Sequence, residues 1–228
     1  MKVIIFGVSG MVGQGVLREC LADSQVTAVL SVGRSGTDTK HPKFQEIVHR
    51  DLLDLQALEP DLAGYDACFF CLGATAAGLT ETAYAAINHD IPVAVGTVLA
   101  QVSPGMTFIY VSGAGTDSSE HGRTMWARIK GKTENDLLRL DLNAYMVRPA
   151  FIQPMHGEVS KTRIYRIAIA ALGPVFPLLR VLLPGFVTTT ERLGQVMLYL
   201  ARAGSPRRVL ETRDINELSR QITCQPST

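Results

Sequence analysis

Lys2-Val-Ile-Ile-Phe6 runs directly into Gly7-Val8-Ser9-Gly10-Met11-Val12-Gly13, and the helix-like stretch Gln14–Leu21 follows. An apolar strand that turns through G-x-x-G-x-x-G into a helix is built to hold a dinucleotide pyrophosphate. Gly7 allows the tight turn, Gly10 lets the backbone approach the phosphates, and Gly13 lets the helix pack close to the strand. The helix start, with Ser9, Met11 and Val12 around it, offers free N–H groups and the positive end of the helix dipole to the anion. The spacing differs by one residue from G-x-G-x-x-G.

Outward from that stretch, apolar runs alternate with helical ones. Val26–Val32 ends at Gly33-Arg34-Ser35-Gly36, and Glu46–His49 is followed by Arg50-Asp51-Leu52. Cys68–Leu72 ends in Gly73-Ala74-Thr75, and a helix spans about 81–101; Pro92 within it does not settle the boundary, because a helix can end and restart there. Thr107–Val111 ends in Ser112-Gly113-Ala114-Gly115; a helix over 124–140 leads to the strand Ala144–Val147 and then Arg148-Pro149. This alternation predicts an α/β fold, a doubly wound parallel sheet with helices on both faces. Ligands of such sheets lie outside the carboxyl ends of the strands, so one rim of the molecule is the expected site.

The 228 residues, 46% of them hydrophobic, suit a single domain over 1–228. A net charge of +1 argues against a nucleic-acid partner. The N-terminal run is too short for a signal peptide, and the four cysteines show no disulfide spacing, so a cytoplasmic location is expected. Cys68-Phe-Phe-Cys71 reads C-x-x-C, but on a strand its two thiols point to opposite faces and act as small apolar side chains. The segment 151–187 is apolar. It is broken by Pro174, Pro177 and Pro184 and carries Arg163, Arg166 and Arg180, which argues against a membrane span. It reads as a small lid or substrate-pocket segment, with self-association or a protein partner as a further use. Thr188-Thr-Thr-Glu191 caps a helix over 192–202, and Arg207–Leu210 reads as a last short strand.

The end of the second strand decides the cofactor. A site for NAD places an acid there to bind the ribose 2′-OH; here stand Arg34 and Ser35. A guanidinium pairs bidentately with a 2′-phosphate and stacks on adenine, which favours NADP (NADPH). Asp51 is expected to accept from the adenine amino group, and Gly73 to let the backbone pass close to the cofactor.

Taken in order, Gly7–Gly13, Gly33-Arg34, Arg50-Asp51-Leu52, Cys71-Leu72-Gly73-Ala74-Thr75, Val111-Ser112, Lys130-Gly-Lys-Thr-Glu134, Arg148-Pro149 and Val187-Thr-Thr-Thr-Glu-Arg192 resemble the atypical short-chain dehydrogenase/reductases. The closest branch is the NAD(P)H-binding, NmrA-like and Tat-interacting-protein-like group. The resemblance implies a Rossmann fold binding NADP along Gly7–Gly13, Arg34, Asp51, Leu52, Cys71, Leu72, Gly73, Lys130 and Pro149.

Active members of that superfamily use a serine and Tyr-x-x-x-Lys. The tyrosine is general acid or base; the lysine holds the nicotinamide ribose and lowers the tyrosine pKa. The resemblance maps the serine to Ser112 and the lysine to Lys130, which puts Trp126 where the tyrosine is due. An indole N–H donates a hydrogen bond but does not shuttle a proton. Tyr110 and Tyr145 lie within strands and Lys132 faces elsewhere on its helix; Ser112, an ordered water and His121 in the preceding loop are the alternative proton sources, although a lone loop histidine is more often plain surface. Two functions follow: hydride transfer with a small carbonyl-type substrate, or NADP(H) binding without turnover as a redox sensor.

Overall fold

The computed structural model describes residues 1–158 and 185–224, and of Cys224 the backbone only. Seven parallel strands form one sheet in the order β3-β2-β1-β4-β5-β6-β9. They are β1 (Lys2–Phe6), β2 (Ala28–Gly33), β3 (Phe44–Val48), β4 (Ala67–Phe70), β5 (Thr107–Val111), β6 (Asn143–Arg148) and β9 (Val209–Glu211). The order reverses between β1 and β4, which pair in register from Val3 with Ala67 to Phe6 with Phe70. The crevice at that reversal is where the Gly7–Gly13 turn sits.

Strand alternation splits the core into two. Val3 and Ile5 point to one face and join Ala67, Phe69, Ile109, Tyr145 and Val147. Ile4 and Phe6 point to the other and join Cys68, Phe70, Phe108, Tyr110 and Met146. The first face is covered by α1 (Met11–Ala22), α6 (Thr190–Ala203) and α7 (Thr212–Cys224); α4 (Ile91–Val102) and α5 (Met125–Leu138) cover the second. α1 and α6 pack closely where a glycine of each helix meets a side chain of the other. A Cβ on Gly15 would stand 2.5 Å from Thr190 Cβ, and one on Gly194 would stand 2.6 Å from Glu19 Cγ.

The predicted doubly wound sheet is therefore present, with boundaries shifted by one or two residues. The boundary that Pro92 left open is settled as one continuous run, from α3 (Glu81–Ala85) through a wide π turn (Ala86–Asp90) into α4. Pro92 sits in the first turn of α4, where its missing N–H costs nothing. Thr189 caps α6 as its sequence suggested, its hydroxyl accepting from Arg192 N at 3.1 Å. The sequence reading did not include α7, the short helix Glu59–Leu62, or a separate parallel pair of β7 (Phe151–Gln153) and β8 (Val187–Thr189). Most of the lid segment 151–187 lies outside the described residues. No described helix is long and apolar enough to cross a membrane.

Candidate active site

The glycine turn is fixed by contacts that only glycine satisfies. Gly7 has φ +92°, and a Cβ on it would lie 2.6 Å from Leu72 N at the end of β4. A Cβ on Gly13 would lie 2.1 Å from Gly7 O, so α1 rests directly on the turn. Gly10 differs: its backbone is extended, and a Cβ there would meet only Gly7 O at 3.4 Å, an ordinary contact. What Gly10 keeps open is the space in front of the helix. No side chain caps α1 and no acid lies in its first turn, so its N-terminal dipole faces that space uncompensated. A cavity of about 170 Å³ lies there, lined by Gly7, Val8, Ser9, Gly10, Val32, Gly33, Arg34, Ser35, Cys71, Leu72 and Gly73. An anion fits this setting: backbone amides and a guanidinium surround it, and no carboxylate lines it.

Seven of the fourteen expected binding residues line this cavity: Gly7, Ser9, Gly10, Arg34, Cys71, Leu72 and Gly73. Met11, Val12 and Leu52 pack their side chains against the core and do not line the cavity. Asp51 behaves otherwise: it is exposed, does not line the cavity, and its carboxylate accepts from Leu53 N at 3.0 Å. Cys68 and Cys71 do point to opposite cores, and burial pushes the Cys71 thiol up to about 12. The loop after β4 is pinned by buried Asn88 in the π turn, whose Oδ1 accepts from Ala74 N at 3.1 Å. The backbone carbonyl of Asn88 accepts from Tyr110 Oη at 3.1 Å and from Thr133 Oγ1 at 2.8 Å.

Two strands along the rim, the end of β5 meets α5. Here Gly131 matters, since a Cβ on it would lie 1.8 Å from Asp117 O. That contact draws α5 onto the loop after β5 and brings Lys130 to Ser112. Lys130 Nζ donates to the Ser112 carbonyl and lies 5.8 Å from the centre of the Tyr110 ring. Burial depresses the Lys130 ammonium to about 8, partly opposed by the Glu134 charge. The Ser112 hydroxyl, only 7% exposed, donates to Glu134 Oε1 at 2.5 Å instead of pointing out to a ligand. Glu134, 1% exposed, is gripped by the Arg148 guanidinium at 3.0, 3.2 and 2.5 Å. Arg148 reaches on to Glu211 and to Ser118.

Trp126 stands one helical turn before Lys130, its ring over Gly115. His121 is exposed in a loop held by Asp117, which accepts from Ser119 N and Gly122 N. Lys132 bonds His89 and Asp136 away from the rim. Tyr145 is packed, its hydroxyl accepting from Ser205 N at 3.0 Å. The sequence reading missed Asn88, Glu134 and Arg148 as a connected set. The mid-helix Gly131 was the one local signal of the close approach.

The family model described as NAD(P)H-binding matches residues 7–167. The chain belongs to that family. Among relatives of this NAD(P)H-binding protein, FMP52-2 of Scheffersomyces stipitis, named as mitochondrial, is 25% identical over 96% of this chain and 97% of its own. FMP52 of Chaetomium globosum, also named as mitochondrial, is 27% identical over 65% of each chain. HTATIP2 of Rattus norvegicus is 25% identical over 66% of this chain and 62% of its own. These last two matches span just under two thirds of the relatives' length. The Bordetella bronchiseptica enzyme WbmG, solved with NAD, superposes with a TM-score of 0.66 at 12% identity, over 99% of this chain and 79% of that one. A short chain dehydrogenase family protein from Francisella tularensis gives 0.64 at 14%, over 92% and 95%. At such identities the likeness is one of fold alone.

Proposed function

We propose that the chain is an NADP(H)-dependent atypical short-chain dehydrogenase/reductase that moves hydride to or from a small carbonyl-type substrate. The observation that carries the reading is the make-up of the cavity at the ends of β1 and β2, where Arg34 and Ser35 stand and no carboxylate does. A 2′-phosphate there gains a charge-assisted bidentate pair, whereas the 2′-OH of NAD finds no acid to accept its proton.

When bound, the nicotinamide supplies hydride. The chain supplies the rest. The start of α1 holds the pyrophosphate, and the β4 end at Leu72 and Gly73 lets the cofactor cross towards β5. Lys130, set by the Ser112 carbonyl, faces the ribose and the substrate oxygen, and Trp126 gives the substrate a flat apolar wall. Ser112 thus acts through its backbone, with its hydroxyl engaged by Glu134. That engagement, with Trp126 in the tyrosine position, also favours a second reading, NADP(H) binding without turnover. The three described cysteines are free thiols, which supports a reducing compartment such as the cytoplasm; the mitochondrial names of the FMP52 relatives make cell fractionation the deciding measurement.

Titration with NADPH and NADH, read by fluorescence of Trp126, the only tryptophan, tests the cofactor. NADPH is expected to bind tighter. Arg34→Asp should weaken NADPH about 30-fold or more, the worth of a charged hydrogen-bond pair, and leave NADH nearly unchanged. Equal losses for both would refute the 2′-phosphate role. Tight binding with no oxidation of NADPH by aldehydes, ketones or quinones would select the sensor reading.

A further inference from the structure

We propose that Lys130 is the proton donor of this site, giving its ammonium proton to the substrate oxygen. The inference rests on the NADP(H) reading above and assigns the step that Trp126 leaves vacant.

The neighbouring groups are otherwise engaged. The Tyr110 hydroxyl is 22 residues from its acceptor in sequence, yet buried against the Asn88 carbonyl, and burial raises its pKa far above the ordinary tyrosine value. The Ser112 hydroxyl donates inward to Glu134. Both Glu134 oxygens accept from Arg148, and one also accepts from Ser112. His121 lies exposed on the loop beyond Trp126. Lys130 alone, among these described groups, combines a half-buried position at the β5 end with donors left over. An ammonium has three N–H bonds, and one goes to the Ser112 carbonyl. The charges around it are few: Glu134 one turn on along α5, Arg148 of β6 behind Glu134, and the neutral Tyr110 of β5 with Tyr84 beyond it. Depression to about 8 leaves the lysine protonated at neutral pH and able to release the proton.

The step balances. Hydride from the reduced nicotinamide forms the new C–H bond while the carbonyl π pair moves to oxygen. That oxygen takes a proton from Lys130 as the N–H bond breaks. The resulting amine regains a proton from water.

The first readout needs no turnover. Trp126 fluorescence, one turn away on α5, should titrate with a midpoint near 8, and Lys130→Met and Lys130→Arg should abolish that transition. Both variants should bind NADPH within about tenfold of wild type. Arginine keeps the cation but cannot release its proton, so both should lower carbonyl reduction at least about 1,000-fold. Wild-type reduction should be flat below pH 8 and fall tenfold per pH unit above it; alcohol oxidation should rise to a plateau over the same range. Lys130→Arg retaining more than a tenth of wild-type turnover would overturn the proposal. So would a reduction rate that rises through pH 8, a Trp126 titration unchanged in both variants, or a wild type that binds NADPH and reduces no carbonyl compound. Failure to bind either cofactor would instead overturn the reading beneath it.

Discussion

The two ends of the candidate site are built from different materials. At the β1–α1 turn the contacts are backbone against backbone: Gly7 against Leu72, Gly13 against Gly7. At the β5–α5 end they are side chains reaching across the fold, Ser112 to Glu134 to Arg148 over 22 and 14 residues. The first arrangement admits one residue type at each position and leaves a signature in the sequence. The second can be met by many residue combinations and leaves almost none. The binding half of the site is therefore generic, and whatever is particular to this chain sits in the other half.

The sharpest way to break the comparison is within the glycine turn itself. Gly13→Val puts a branched side chain where even a Cβ would lie 2.1 Å from Gly7 O. Strain of that size at a packed helix–strand contact is expected to cost about 3 kcal/mol or more, enough to lose a cooperative thermal transition. Gly10→Ala meets only an ordinary contact and should fold with nearly the wild-type melting temperature. Its loss should appear in NADPH affinity, about tenfold or more, because the added methyl occupies the approach to the phosphates. If Gly10→Ala unfolds as readily as Gly13→Val, the division of labour between these glycines is wrong.

A slightly smaller effect is expected at the other end. Glu134→Ala leaves the Arg148 guanidinium, itself mostly buried, without its main partner. Breaking a buried pair by removing one member costs about 3–5 kcal/mol, with the lower figure apt here because Glu211 and Ser118 still hold Arg148. Chemical denaturation measures it. The same variant frees the Ser112 hydroxyl and removes the charge that partly offsets burial of Lys130, so the Trp126 fluorescence transition should move below its wild-type midpoint. An unchanged midpoint would separate Glu134 from Lys130 electrostatically.

Legibility followed the same divide. Strand runs such as Val3–Phe6 and Thr107–Val111 were readable because parallel central strands are apolar on both faces. Arg34 stands out in the sequence because the fold places one chemical decision at the end of β2, and its side chain does line the cavity there. Glu134 looked like one more polar residue in a charged helix, and nothing local says that it faces inward to Ser112 and Arg148. At Asp51 the residue type alone suggested a ligand, and the bond its carboxylate accepts from Leu53 N, as aspartates in turns commonly make, was not read from the sequence. β7 and β8, three residues each, are too short for any periodicity to show. α7 was overlooked although Ile215, Leu218 and Ile222 mark one stripe, because the residues between them are almost all polar.

The smallest structural change carries the finest distinction. Trp126→Tyr should alter stability by less than about 1 kcal/mol, since the ring is half-buried and rests against the open face of Gly115. Its phenol would stand four residues before Lys130, close to a half-buried cation that lowers a tyrosine pKa. If Lys130 already supplies the proton, the phenol adds little, and carbonyl reduction should change by no more than a few-fold, with its pH dependence still set by Lys130. A rise of 100-fold or more would mean that the wild-type site lacks a proton donor and that Lys130 only holds the ribose. The two ends of the site would then differ in a further sense: the glycine turn complete, the β5–α5 end one hydroxyl short.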